Sequence, residues 1–215
     1  MKIAVAVLAA FVLSFVAGRV STSSPACPKA VSSTPGPARE SVGVGVGFAR
    51  TRQGAVLAAG TYQQAFADTA VLRPGELRRR VEAVATPAFA PTMLKANEPG
   101  TSRLASSSFG AELRAGVKSA FFGVPVSYRL ISFTADRAVI RTWGFTLLGN
   151  VSSVEPIAFF GLARTVLVWM DGDWKIAGTR ASFGPTPRLA SSAPAAEGLS
   201  LVALTRELHR YGVAP

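Results

Sequence analysis

Tyr62 and Asp68 are the residues whose types and spacing come closest to a catalytic pair in this sequence. They lie within two turns of a predicted helix, and Gln63 lies beside them. A carboxyl group in apolar surroundings holds its proton more tightly, and a tyrosine hydroxyl opposite it can stabilise an oxyanion. Such a pair would suit proton transfer in an isomerase-like reaction.

The alternative interpretation places Tyr62 in the core, with its hydroxyl satisfied by one hydrogen bond. Aromatic side chains at helical and alternate-strand spacing usually pack together, and five of them are expected to line one apolar interior: Tyr62, Phe66, Phe89, Trp143 and Trp169. The remaining carboxylates, such as Asp136, Asp171 and Asp173, fall in predicted turns. We therefore expect no catalytic residues, with Tyr62 and Asp68 as the only weak candidates.

The sequence offers little to a metal or a cofactor. Cys27 is the sole cysteine and His209 the sole histidine, which excludes an internal disulfide and any cysteine-based zinc site. Glycines alternate in Val42–Phe48, but they lack the spacing of a nucleotide-binding fingerprint, so we interpret this stretch as extended packing. We expect neither a metal nor a cofactor.

The elements that must position these side chains change in character halfway along the chain. Helical spacing predicts a helix over residues 53–68, a second over 72–85, a short third over 91–96, a Gly/Ser-rich break over 99–110 and a fourth helix over 111–120. Four strands follow at 124–133, 137–148, 157–170 and 174–183, the last two joined by Asp171-Gly172-Asp173. The predicted fold class is α+β, with helices packed on a curved antiparallel four-stranded sheet.

The first residues predict a membrane segment. Residues 3–18 contain sixteen uncharged positions, about 24 Å of helix against a hydrocarbon core of about 30 Å. An uncleaved anchor is favoured; cleavage after Gly18 and a lipid on Cys27 are the alternatives. The expected organisation is a transmembrane or signal helix (1–20), a Pro/Ser-rich linker (21–41), the folded domain (42–188), and a linker with a C-terminal helix over 199–211 (189–215).

The chain carries a net charge of +11, and residues 42–188 hold seventeen basic and nine acidic side chains. A charge of this size favours anionic partners such as lipid head groups, nucleic acid or an acidic protein face. Arg78, Arg79 and Arg80 follow one another in the second predicted helix and form a candidate basic interaction surface. No block of five or more consecutive basic residues occurs, so a nucleic-acid partner is not favoured.

A helix with an aromatic stripe, further helices and long strands ending in Asp171-Gly172-Asp173-Trp174-Lys175-Ile176 resembles the cone-shaped fold of nuclear transport factor 2-like and steroid-isomerase-like proteins. The resemblance covers residues 48–184. Enzymes on that fold hold a carboxylate or a histidine in the apolar cone. With the membrane segment, the linker and the stretch from Gly47 to Val56, the chain is similar to assembly subunits of actinobacterial conjugation and type IV secretion channels, or to proteins that accompany lipid-import systems.

These observations predict a non-catalytic scaffold or binding domain in a conjugation or transport machine. The expected location is the cell membrane, with a single pass through residues 3–18 and the domain on the extracytoplasmic side. Other membrane or channel proteins are the expected partners, and a homo-oligomer is a further option. The alternatives are a small apolar-ligand binder or isomerase-like enzyme using the cone, and a nucleic-acid-binding protein.

Overall fold

A computed structural model describes residues 34–187 and the backbone of residues 209–210. Within these residues the fold is mixed α+β, with four helices and an antiparallel sheet of four long strands, to which a two-residue strand adds a fifth; a separate two-stranded sheet precedes the helices. The helices are α1 (Arg52–Ala65), α2 (Glu76–Val84), α3 (Ala90–Ser106) and α4 (Ser108–Arg114), with a 3-10 turn at Thr69–Leu72. The strands are β1 (Arg39–Ser41), β2 (Val44–Val46), β3 (Ser119–Phe133), β4 (Arg137–Asn150), β5 (Ile157–Met170), β6 (Asp173–Phe183) and β7 (His209–Arg210).

The long strands form a meander in which each strand pairs with the next along the chain, giving the order β6-β5-β4-β3. The two-residue β7 pairs with β3 at its outer edge. Register shifts occur in β3 between Pro125 and Ser127 and between Leu130 and Ser132. Such bulges bend a strand and increase its twist, so β3 curves where it runs beside the helices.

Two of the hairpin turns, the one between β5 and β6 and the one between β1 and β2, have similar geometry. Asp171 and Gly172 both have positive φ, as the tight turn between β5 and β6 requires, and Val42 and Gly43 have the same pattern between β1 and β2. The first of these hairpins was predicted from Asp-Gly. The second was not, and it places Arg39–Ser41 in a strand although we assigned them to the linker.

The core lies between the sheet and the first two helices. Small side chains on one face of α1, including Ala55, Ala58 and Ala59, let the helix lie close to the sheet. Ala138 and Ile140 of β4 and Trp174 of β6 pack in one cluster with those alanines. We call the side of the sheet that carries these three residues its helix face. Just after α1 the chain approaches β3 so closely that a Cβ added at Gly123 would lie 2.9 Å from the Ala67 side chain.

Three predicted boundaries differ from the structure. The break expected at 99–110 is instead the second half of α3, which continues through Pro99, and α4 ends at Arg114 before a longer β3 begins at Ser119. His209 and Arg210 are strand, where the sequence predicted helix, because their backbone pairs with Tyr128 and Ser127. The rest of the predicted C-terminal helix lies outside the described residues.

Among residues 34–187, no helix has the length and apolar character needed to cross a membrane. The membrane segment predicted at residues 3–18 lies outside the described part of the chain, as do Gly18 and Cys27.

Candidate functional site

Tyr62 occupies the middle of the interior, on the face of α1 that contacts the sheet. Its side chain is 1% exposed, and its hydroxyl donates to the backbone oxygen of Trp174 at 2.8 Å, with Asp173 Oδ2 at 3.3 Å. Burial, together with the Asp173 carboxylate, raises the pKa of Tyr62 well above its ordinary value. The hydroxyl therefore stays protonated and serves as a hydrogen-bond donor.

Asp173 is the buried carboxylate of this site, and it is 0% exposed. Its Oδ1 accepts the backbone N–H of Phe48 at 3.0 Å and that of Trp174 at 2.8 Å. Lys175 Nζ lies 3.5 Å from Oδ2 and donates to the backbone oxygen of Ala83 at 2.7 Å. Donors thus surround both oxygens of this carboxylate, which suits a structural role that ties β6 to α1 and to the residues before α1.

Asp68, the predicted partner of Tyr62, instead interacts with Ala70 and Arg80. Its Oδ1 accepts the backbone N–H of Ala70 at 2.9 Å at the start of the 3-10 turn, and Oδ2 pairs with Arg80 at 2.9 Å. Partial burial acts to raise the pKa of Asp68, but the Ala70 and Arg80 interactions outweigh it and lower that pKa. Tyr62 and Asp68 thus have different partners and share no hydrogen bond, so the predicted pair does not form.

Four of the five aromatic residues predicted to line one interior do meet there. Phe66, Phe89 and Trp169 pack, partly buried, against the core that contains Tyr62. Trp143 does not, because strand alternation puts Thr142 on the helix face, where it donates to Gln63 at 2.7 Å, and turns Trp143 to the opposite face.

On that opposite face Trp143 is still buried. Its ring stacks on Phe160 with the centroids 5.8 Å apart, and its indole N–H donates to the backbone oxygen of Pro185 at 3.0 Å. Its assignment to the helix-face interior was wrong, since one step along a strand reverses the face.

The three consecutive arginines do not form one basic surface. Arg80 is 3% exposed and is held by Glu76, Asp68 and the backbone oxygen of Ala65. Arg79 pairs with Glu76 at 2.6 Å on the surface, and Arg78 approaches Glu98 at 3.4 Å. Helical rotation of about 100° per residue sends the three side chains in different directions, so the predicted surface reduces to Arg78 and Arg79.

An apolar hollow of about 240 Å³ lies at the end of the sheet beyond α1. Gly144 and Gly161 leave its floor without side chains, and Phe159 and Phe183 flank it. Phe159 is 43% exposed and Phe183 is 90% exposed. Gln63, Thr146 and Ser182 are the polar residues among its lining. The sequence did not point to this hollow, because it depends on which glycines pair across β4 and β5.

The side chains described between residues 34 and 187 contain no cluster of three acidic, histidine or cysteine groups that could hold a metal ion. His209 contributes only its backbone to the description.

Residues 22–197 match a family that is described as a domain of unknown function, DUF8175. No curated protein and no solved structure matches the chain.

Proposed function

We propose that this chain, which belongs to the DUF8175 family, is a non-catalytic binding or scaffold domain at the outer surface of a cell membrane. The observation that carries the proposal is the closed state of the Tyr62 and Asp173 site, where both side chains are sealed from solvent and hydrogen-bonded. A proton-transfer enzyme needs its acid or base within reach of a substrate. An enzyme on a cone-shaped fold would use such a tyrosine and carboxylate for proton transfer, whereas here the two side chains join α1 to β6.

The architecture supports the finer interpretation of the fold as a nuclear transport factor 2-like cone. Helices pack on one face of an antiparallel meander, β3 carries two bulges, and the final hairpin has the Asp-Gly-Asp-Trp sequence on which the resemblance was based. The apolar interior on the helix face contains Tyr62, Trp169 and Trp174.

Exposed apolar side chains support a binding role. Ile157, Phe159 and Phe183 lie at neighbouring ends of β5 and β6 and are each more than 40% exposed. A contiguous exposed apolar patch on a globular domain typically marks a site of protein interaction. With the membrane segment predicted at residues 3–18, it fits an assembly subunit of a conjugation or transport machine whose partners are other membrane or channel proteins.

The test is site-specific photocrosslinking of the full chain in cells of the source organism. A photoreactive phenylalanine analogue replaces Phe183 or Phe159, and a third variant carries it at Ile131, which is 42% exposed on β3. We expect the chain in the membrane fraction, with the same membrane protein attached at 183 and 159 but not at 131. A chain in the soluble fraction, or equal adducts at all three positions, would overturn the proposal.

The hollow beside Phe159 favours a second candidate, a small apolar-ligand binder or isomerase-like enzyme. Its volume of about 240 Å³ suits a small ligand, and Gln63 and Thr146 could orient one. Organic extraction of the purified full chain, followed by mass spectrometry, would show a bound ligand. Ala181→Trp should fill the hollow and remove that ligand, whereas Arg180→Trp on the other face of β6 should not.

A further inference from the structure

A second cleft, separate from the interior, lies among the 3-10 turn, the start of α2, and the helices α3 and α4. Its volume is about 650 Å³. Leu72 and Leu77 form part of its wall, and the hydroxyl-bearing residues Thr101, Ser102 and Ser106 line another part. The cleft therefore combines an apolar surface with hydrogen-bonding groups.

The charged residues of this cleft are three arginines, Arg73, Arg78 and Arg114, and one carboxylate, Glu98. Arg73 makes no side-chain hydrogen bond or ion pair within residues 34–187. Arg78 approaches Glu98 at 3.4 Å, but both side chains are about half exposed, so the pair is weak. Arg114 donates to the backbone oxygen of Ala105 at 2.6 Å, which occupies one of its five N–H groups. Most of the donor capacity of the three guanidinium groups is thus open to a ligand.

A neighbouring cleft of about 400 Å³ shares Arg78 and Glu98 with the 650 Å³ cleft, and Lys95 also lines it. The Arg78 and Glu98 pair therefore stands between two spaces that both carry excess positive charge. Like charges that line one space repel each other, and an anion placed among them relieves that repulsion.

We propose that this basic cleft binds a phosphate-bearing organic ligand. Guanidinium groups present paired N–H donors that match phosphate oxygens. The Thr101 and Ser102 hydroxyls can add hydrogen bonds to the phosphate, whereas the Ser106 hydroxyl already donates to the backbone oxygens of Ser102 and Arg103. Leu72 and Leu77 would contact the organic part of the ligand. The phosphate can come from a soluble phosphorylated metabolite or from an anionic lipid head group, since both present the same chemistry. This inference stands apart from the scaffold role, which requires no ligand in this cleft.

The experiment is calorimetric titration of the full chain, in a non-ionic detergent, with pyrophosphate as the probe. Arg73→Gln/Arg114→Gln removes two cleft charges, and Arg164→Gln/Arg180→Gln removes two exposed charges that pair across β5 and β6. We expect the first double variant to weaken binding about tenfold and the second to leave it unchanged. Glu98→Gln should tighten binding a few-fold, which a purely structural role of the cleft would not produce.

Equal pyrophosphate affinity in the two double variants would overturn the proposal, as would an absence of binding to the wild-type chain. If the first double variant fails to fold, Arg73→Gln alone and Glu98→Gln remain informative, because Arg73 has no partner within residues 34–187. Succinate binding as tight as that of pyrophosphate would overturn the assignment to phosphate. Displacement of pyrophosphate by dihexanoyl phosphatidylglycerol, but not by dihexanoyl phosphatidylcholine, would identify a lipid head group as the source of the phosphate. No displacement by either lipid would exclude that source and leave a soluble phosphorylated ligand.

Discussion

Tyr62 and Asp173 lie 111 positions apart in the chain and meet at 3.3 Å between the hydroxyl and Oδ2. The contact joins the first helix to the first residue of the last long strand. Each group also has other partners, among them the backbone oxygen of Trp174 for Tyr62 and the N–H of Phe48 for Asp173. The two residues thus hold three parts of the chain together in the interior.

Tyr62→Phe should lower the free energy of unfolding by about 1–2 kcal/mol, because two buried acceptors lose their donor while the ring stays in place. Urea denaturation followed by tryptophan fluorescence measures the change. We expect the photocrosslinks at Phe183 to persist in this variant. Their loss with unchanged stability would indicate that the hydroxyl acts on a ligand.

Asp173→Asn should be more damaging, by about 3 kcal/mol, since the amide places an N–H₂ group among donors and leaves Lys175 without its buried counter-ion. Asp171→Asn is the matched control, with the same change two residues away. Asp171 is exposed and has a φ of 52°, which asparagine tolerates well, so its stability should stay within about 0.5 kcal/mol of the wild type. Similar losses in both variants would contradict the structural role of Asp173.

Acid should weaken the contacts around Arg80. The pKa of Asp68 is lower in the folded chain than in the unfolded chain, so its contribution to stability is complete above about pH 4 and is lost as the pH falls below that value. Hydrogen bonds from Arg79 and Arg80 lower the pKa of Glu76 and add the same dependence.

This dependence can be measured as the difference between the urea midpoints at pH 7 and pH 3. Asp68→Asn/Glu76→Gln should show a smaller difference than the wild type. An unchanged difference would mean that other carboxylates control acid unfolding. Glu82→Gln, which changes an exposed carboxylate elsewhere on α2, serves as the control.

Val42→Asn should stabilise the chain by about 1 kcal/mol, because Val42 has a φ of 52° and a β-branched side chain fits that region poorly. Asparagine followed by Gly43 is also the preferred sequence for this two-residue turn. A rise of about 2–4 °C in the melting temperature is expected. Gly43→Val should have the opposite effect, since its φ is 68° and its Cβ would lie 3.3 Å from the Arg80 guanidinium. A lower melting temperature for Val42→Asn would contradict this interpretation.

Sequence patterns predicted the four long strands and the first two helices because their signals are local. Alternation and the Asp171-Gly172 turn are contained within a few residues of the chain. The continuation of α3 through Pro99 was missed, because a proline inside a helix is locally unfavourable and only contacts with other elements offset it. One such contact joins Arg114 to the backbone oxygen of Ala105.

The candidate site was predicted only in part. Tyr62 was recognised as an interior residue, but spacing along one helix suggested Asp68 as its partner, whereas the actual carboxylate comes from the far end of the domain. Trp143 was placed on the wrong face, because a strand's pattern does not say which face meets the helices. The basic cleft depends on Arg73 and Arg114, which are far apart in sequence and come together only through the packing of the helices.

Two hydrogen bonds join the residues just before α1 to the start of β6. The N–H of Phe48 donates to the Asp173 carboxylate, and the carbonyl oxygen of Ala49 accepts the Trp174 indole N–H at 2.9 Å. Both attachments precede α1 in the chain. A pulling force applied at the N-terminal side of the domain would therefore reach the sheet before it reached the helix. These two hydrogen bonds to the last hairpin would therefore have to break before tension on residues 34–47 could unwind α1.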